Sequence, residues 1–142
     1  MSSSGIRAER DLVHRFWDAG FAVLRAPASG GGIILPRPDL IVGSKSHNKF
    51  FVIEVKTVRK DSLYIDSNQI EGLLEFANRI GFKPILAVKF KNHKKDYVFL
   101  DVPDQLLKVR NGTNFKVAYL HALNVGLKFS ELIGEYQQMK LV

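Results

Sequence analysis

No cysteine occurs anywhere in the chain. That removes disulfides, thiolate nucleophiles and zinc–thiolate centres from the candidate chemistries. There is also no run of about 18 apolar residues, the length a helix needs to cross a membrane, so no membrane partner is expected. The opening residues, MSSSGIRAERD, lack the apolar core of a secretory signal, which points to the cytoplasm. Acidic side chains are outnumbered: 14 Asp and Glu face 21 Lys and Arg, for a net charge of +7 and a pI near 9.7. The imbalance is local. Residues 1–95 hold 16 basic and 9 acidic side chains, whereas residues 96–142 hold 5 of each. A basic surface of this kind attracts phosphate backbones in a salt-dependent way, although composition alone also suits a basic protein with no such partner. With 142 residues, 46% of them hydrophobic, the whole chain (1–142) is read as a single domain able to bury a core.

The periodicities divide the chain without repeats or a linker. Ser4 is a candidate N-cap for a helix running to about Asp18, with Gly20 as its stop. FAVLRA (21–26) reads as a strand, and PASGGGIILPRP (27–38) as a loop, because three consecutive glycines cost too much entropy inside an element. DLIVG and FFVIEVKTV read as two strands joined by the polar turn SKSHNK, a hairpin. A second helix is expected over Ser67–Ile80, capped by Asp66 or Ser67 and stopped by Gly81, with Ile70, Leu73, Leu74, Ala77 and Ile80 at helical spacing. PILAVKF (84–90) and DYVFLDV (96–102) are two further strands. Asn111-Gly112 suggests a tight turn, and a last helix is expected over Phe129–Met139. The resulting order, α-β-β-β-α-β-β-tail-α, is that of a mixed α/β sheet with helices packed on it.

Within FFVIEVK (50–56), a run apolar enough to be buried, stand Glu54 and Lys56. Burying a charge is costly unless it is paired or holds a metal. Side chains alternate along a strand, so Glu54, Lys56 and Val52 share one face, while Ile53, Val55 and Thr57 take the other. Asp39 opens the neighbouring strand of the hairpin and so falls near them. On the first helix Glu9, Leu12, Val13 and Phe16 form one stripe, which puts Glu9 on the side assigned to the core. Taken alone, Glu9 fits an acid at the edge of an apolar stripe. With Asp39 and Glu54, three acids and a lysine converge on one edge of a sheet, where the acids would repel unless a cation lay between them. Such oxygen ligands suit Mg²⁺, which binds phosphates while keeping several waters. Held by Asp39 and Glu54, it would polarise a phosphodiester and acidify a water that Lys56 orients.

Pro38-Asp39, fourteen intervening residues, then Glu54-Val55-Lys56 is the PD-(D/E)xK signature of restriction-endonuclease-like nucleases. A structural ion pair is the plainer alternative, and the placement of the residues on adjacent strands favours the nuclease. The stretches AERDLVHRFWDAGFAVLRAPASG, PDLIV, VIEVK and LYIDSNQIEGLLEFANRIGFKPILAVKF resemble the archaeal Holliday junction resolvases over roughly residues 5–101. The resemblance implies a restriction-endonuclease-like fold and a Mg²⁺-dependent endodeoxyribonuclease, with Mn²⁺ as a substitute ion and no small-molecule cofactor. It implies an active site of Glu9, Asp39, Glu54 and Lys56, assisted by Ser29. The metal would be held by Glu9, Asp39, Glu54 and the Val55 backbone carbonyl. Arg10 and Arg25 match arginines that handle the junction, with Lys60 placed beside them as a DNA contact. It further implies a homodimer acting on four-way junction DNA beside the nucleoid, in recombination and repair.

A two-fold dimer suits a two-fold substrate. Leu73, Phe76 and Ile80 offer a second apolar seam on the second helix for such an interface; a helix buried on two sides within one subunit accounts for them equally well. The four histidines, His14, His47, His93 and His121, show no ligand spacing, and Trp17 beside Phe16 is expected in the core. Lys89, Lys91, Lys94 and Lys95 form either a solvated turn or a DNA-contacting edge. Two other functions remain open on the sequence. One is an enzyme of the same fold that cuts duplex or flapped DNA; the other is a junction-binding protein without catalysis, which has no need of clustered acids on a face meant for phosphates.

Overall fold

The structure is a computed structural model and describes residues 3–27, 35–109, 112 and 114–134. Helix α1 (Ser3–Asp18) leads into strands β1 (Ala22–Arg25), β2 (Leu40–Ser44), β3 (Lys49–Val58) and β4 (Ser62–Ile65). Helix α2 (Ser67–Ile80) and strand β5 (Lys83–Phe90) follow, then a 3₁₀ turn at Lys91–His93 and strand β6 (Val98–Asp101). The chain continues through β7 (Leu107–Lys108), β8 (Phe115–Ala118), α3 (Tyr119–Val125) and α4 (Phe129–Leu132). Five strands form one sheet in the order β1-β2-β3-β5-β6, in which only β3 and β5 run parallel.

The helix between β3 and β5 explains the parallel pair, since a crossover is needed to bring two successive strands into the same direction. Its boundaries are set locally. Asp66 accepts a hydrogen bond from the Asn68 backbone N–H (2.8 Å) as N-cap, and Gly81 closes the helix at φ 81°, donating its N–H to the Ala77 carbonyl (2.8 Å). A left-handed residue at that point favours glycine. Helix α1 begins at Ser3, so Ser4 lies inside it rather than capping it; Gly20 provides the stop at φ 97°.

The sheet separates two cores. On one face, Ala8, Leu12 and Phe16 of α1 pack with Leu40, Phe51, Ile53 and Val55, joined by Leu132 and Ile133. On the other, Ile70, Leu73 and Ala77 of α2 pack with Val52, Leu86 and Val88. The alternation read from β3 thus holds: Ile53 and Val55 go to the α1 side, Val52 to the α2 side. Trp17 corrects the expectation of burial, being 66% exposed where Phe16 is 0% exposed. One step along a helix turns a side chain by about 100°, enough to carry it off a stripe of that width.

The β2–β3 hairpin pairs Leu40 with Ile53 and Ser44 with Lys49. Its turn is fixed by Asn48 at φ 54° and by the Ser44 hydroxyl, 2.7 Å from His47 Nδ1; the His47 ring lies 4.4 Å from that of Phe21.

The C-terminal third differs from the expected tail. Strands β4, β8 and β7 form a second, three-stranded sheet, and α3 follows it. The last helix ends at Leu132, with Gly134 in the left-handed region; its expected extension beyond residue 134 and the Asn111 position of the tight turn lie outside the described residues. No helix among the described residues is long and apolar enough to cross a membrane.

Candidate active site

Asp39 sits one residue before β2, and extending the Leu40–Ile53 pairing by one step sets it opposite Glu54. Its Oδ2 accepts the Val55 backbone N–H at 2.8 Å, and its own carbonyl accepts the Ala26 N–H at 2.9 Å. Asp39 is therefore tied on both sides, its carboxylate to β3 and its backbone carbonyl to the residue that follows β1. Glu54 projects to the α2 side, into a cleft of about 260 Å³ that Arg37, Asn68, Gln69 and Leu73 also line. Burial, then the neighbouring Asp39 charge, pushes the Glu54 carboxyl up to about 8. Burial also raises Asp39, against the Val55 N–H, a bond with Glu54, and the charges of Lys56 and Arg25. Two carboxyls in this position share a proton or share a cation; both cannot stand ionised without one.

Lys56 Nζ lies 3.8 Å from Glu54 Oε2 and donates a 2.9 Å hydrogen bond to Gln69 Oε1 of α2. Gln69 is a site residue that the sequence reading missed. Its only local signal is the polar first turn, Ser67-Asn68-Gln69, of a helix that follows a charged strand. No spacing rule connects that turn to Lys56.

Glu9 is 2% exposed, so it occupies the buried side in full rather than the edge of its stripe. Arg25 of β1 satisfies it, Nε donating to Oε1 at 2.9 Å. Burial and the Asp39 charge raise the Glu9 carboxyl, and Arg25 opposes them. The three acids expected to converge are therefore arranged as a pair and a neighbour. Glu54 faces α2 and Glu9 belongs to α1, with Asp39 between them electrostatically. Among the described residues, no three His, Cys, Asp or Glu side chains are grouped closely enough to hold a metal ion. Two desolvated carboxylates still suit Mg²⁺, which is content with one or two carboxylates and completes its shell with water and phosphate oxygens. The observation that fits such an ion is the adjacency of the Asp39 and Glu54 carboxyls on paired strands, where its positive charge would offset their repulsion.

Arg10 and Lys60 are exposed, and neither forms an ion pair among the described residues. Ser29 lies outside the described residues. Of the expected apolar seam, Leu73 is 6% exposed and belongs to the core under α2; Phe76 packs partly against that core, and Ile80 is 39% exposed. The seam thus reduces to Phe76 and Ile80. Arg7, Arg10, Thr57, Lys89 and Lys91 line a groove of about 540 Å³ beside α1.

A family model described as archaeal Holliday junction resolvase (Hjc) matches residues 1–141. A protein of Archaeoglobus fulgidus named crossover junction endodeoxyribonuclease Hjc is 33% identical over 138 residues, covering 97% of this chain and 95% of its own. Its namesake in Sulfolobus acidocaldarius is 37% identical over 132 residues, covering 92% of this chain and 87% of its own. The solved structure of A. fulgidus Hjc, titled a Holliday junction resolvase from an archaeal hyperthermophile, superposes with a TM-score of 0.78 at 31% identity. The match covers 93% of this chain and 97% of that one.

Proposed function

This chain belongs to the archaeal Holliday junction resolvase family, and from that premise we propose how its residues resolve a four-way DNA junction. It is a crossover junction endodeoxyribonuclease, a nuclease of the restriction-endonuclease-like fold acting in recombination and repair. The observation that carries the residue assignment is the Asp39 and Glu54 carboxyls set on paired strands, with the Lys56 ammonium 3.8 Å from Glu54.

In this reading Asp39 and Glu54, together with the Val55 carbonyl, would hold Mg²⁺. Bound there, the ion supplies positive charge to a phosphodiester oxygen and lowers the pKa of water. The chain's own groups do the rest. Lys56 holds the attacking water or neutralises charge developing on the phosphorus oxygens. Glu9 acts from behind, keeping Arg25 in place with its terminal nitrogens left for a phosphate, and Ser29 assists from the loop. Arg10 and Lys60 contact the DNA backbone, joined by the basic groove. Desolvation, then the charges of Arg59, Arg7 and Lys89, lowers the Lys91 pKa, and a polyanion would relieve that clustering. A homodimer with Phe76 and Ile80 near its axis would present two such sites to a two-fold junction. The site of action is the cytoplasm, beside the nucleoid.

The test offers a labelled immobile four-way junction, a flapped duplex and a linear duplex of the same sequence, with and without Mg²⁺, under single-turnover conditions. Paired symmetric nicks in the junction alone, and only with the ion, are expected. Equal cutting of all three would reject selectivity for the junction, and cutting in excess EDTA would reject the metal.

A further inference from the structure

Lys56 carries its ammonium beside the cleft-lining Glu54 and Gln69 on a flexible four-carbon stem, so something must choose its direction. Its acidic neighbour is too far to do so, since 3.8 Å between Nζ and Glu54 Oε2 exceeds hydrogen-bond distance. The one hydrogen bond it makes among the described residues runs to Gln69 Oε1, at 2.9 Å. Gln69 is held by its helix. Asp66 caps the start of α2 through the Asn68 N–H, and Ile70, 2% exposed, pins the next position into the core.

We propose that Gln69 is a positioning residue for phosphodiester cleavage. Its amide oxygen holds the Lys56 ammonium beside the cleft and away from Glu54. A neutral acceptor has a specific advantage here. A carboxylate there would also hold the ammonium, at the cost of some repulsion with Asp39 and Glu54, whereas no acceptor at all would let Lys56 swing onto Glu54 and close a tight ion pair. That pair would occupy the oxygens meant for the cation and withdraw the ammonium from the phosphate. The inference rests on the reading of Lys56 as a catalytic group.

The experiment compares wild type, Gln69→Met, Gln69→Glu and Lys56→Met for single-turnover cleavage of a four-way junction at saturating protein, for junction Kd in EDTA, and for Tm. Met keeps the volume and helix preference of Gln, but its thioether is only a weak hydrogen-bond acceptor. Gln69→Met is expected to slow cleavage on the order of 10- to 100-fold, the scale of a small misplacement of a catalytic group, with Kd and Tm unchanged. Gln69→Glu, which restores an acceptor for the ammonium, is expected to recover part of that rate. Wild-type cleavage by Gln69→Met overturns the proposal, as does a rate loss matched by a loss in Kd or Tm. A slow Gln69→Met that Gln69→Glu does not improve overturns it too. Full activity of Lys56→Met would instead refute the catalytic role of Lys56, which keeps the two failures apart.

Discussion

The two faces of the five-stranded sheet carry the same kind of liability, a glutamate under an apolar stripe, and treat it in opposite ways. On the α1 face Glu9 is met by the Arg25 guanidinium at 2.9 Å, inside a wall of aromatic rings in which Phe16 lies 5.5, 6.4 and 4.9 Å from Phe21, Phe99 and Phe129. On the α2 face Glu54 opens into a cleft, is pressed by Asp39, and meets its lysine only at 3.8 Å. The difference teaches how a small fold separates support from chemistry. One side closes its charge with a directed hydrogen bond and adds rigid packing. The other leaves two neighbouring carboxyls to share one proton, and such a pair is suited to exchange it for a cation.

The comparison breaks most completely at Asp39. Asp39→Asn removes a proposed ligand and a charge beside the phosphates, so single-turnover cleavage should fall on the order of 10³-fold or more. Junction Kd should hold or tighten, and a variant that cut normally would dispose of the metal site. Next, Phe16→Ala strikes the closed face alone. Removing a fully buried ring should cost about 3–5 kcal/mol in chemical denaturation, with the folded fraction still able to bind Mn²⁺.

Arg25→Met sharpens the contrast by leaving Glu9 buried without its partner. A broken buried pair costs about 3–5 kcal/mol, and because Arg25 is a quarter exposed a loss nearer 1–3 kcal/mol is expected by denaturant titration. The smallest effect belongs away from both faces. Asp61 is fully exposed and depressed below its ordinary 3.8 by hydrogen bonds from His93 and Asn92. A depressed carboxyl contributes stability above its unfolded pKa and loses it as pH falls through the folded one. Asp61→Asn should therefore lower Tm slightly at pH 6, and the gap should close on acidification below about pH 3.8.

What the sequence revealed was whatever its neighbours in the chain decide. Asp66 and Gly81 bracket α2 because a cap and a stop act within one turn. The pairing of Asp39 with Glu54 followed from a short hairpin and from the two-residue period of a strand. What stayed hidden depends on partners far along the chain. Strand β4 is four residues long and pairs with β8, Leu63 opposite Val117, so nothing local marks either as a strand. Glu9 showed its stripe but not its arginine, which arrives from another element. Trp17 misled because adjacency to Phe16 says nothing about direction on a helix. The hydrogen bond from Lys56 to Gln69 was invisible for the same reason: it joins a strand to a helix through side chains alone.

The β2–β3 turn, with Asn48 at φ 54° and Ser44 bonded to His47, also acts at a distance. It sets the register of β3, and a slip of one residue in a strand turns every side chain to the opposite face. Adding or deleting a single residue there would turn Glu54 and Lys56 toward α1 and Ile53 and Val55 toward the cleft, roughly 17 Å from the altered turn at about 3.3 Å per residue. The nuclease would keep every catalytic residue and lose its active site. In this fold the turn serves as a reading frame for catalysis, and an insertion there is a frameshift in three dimensions.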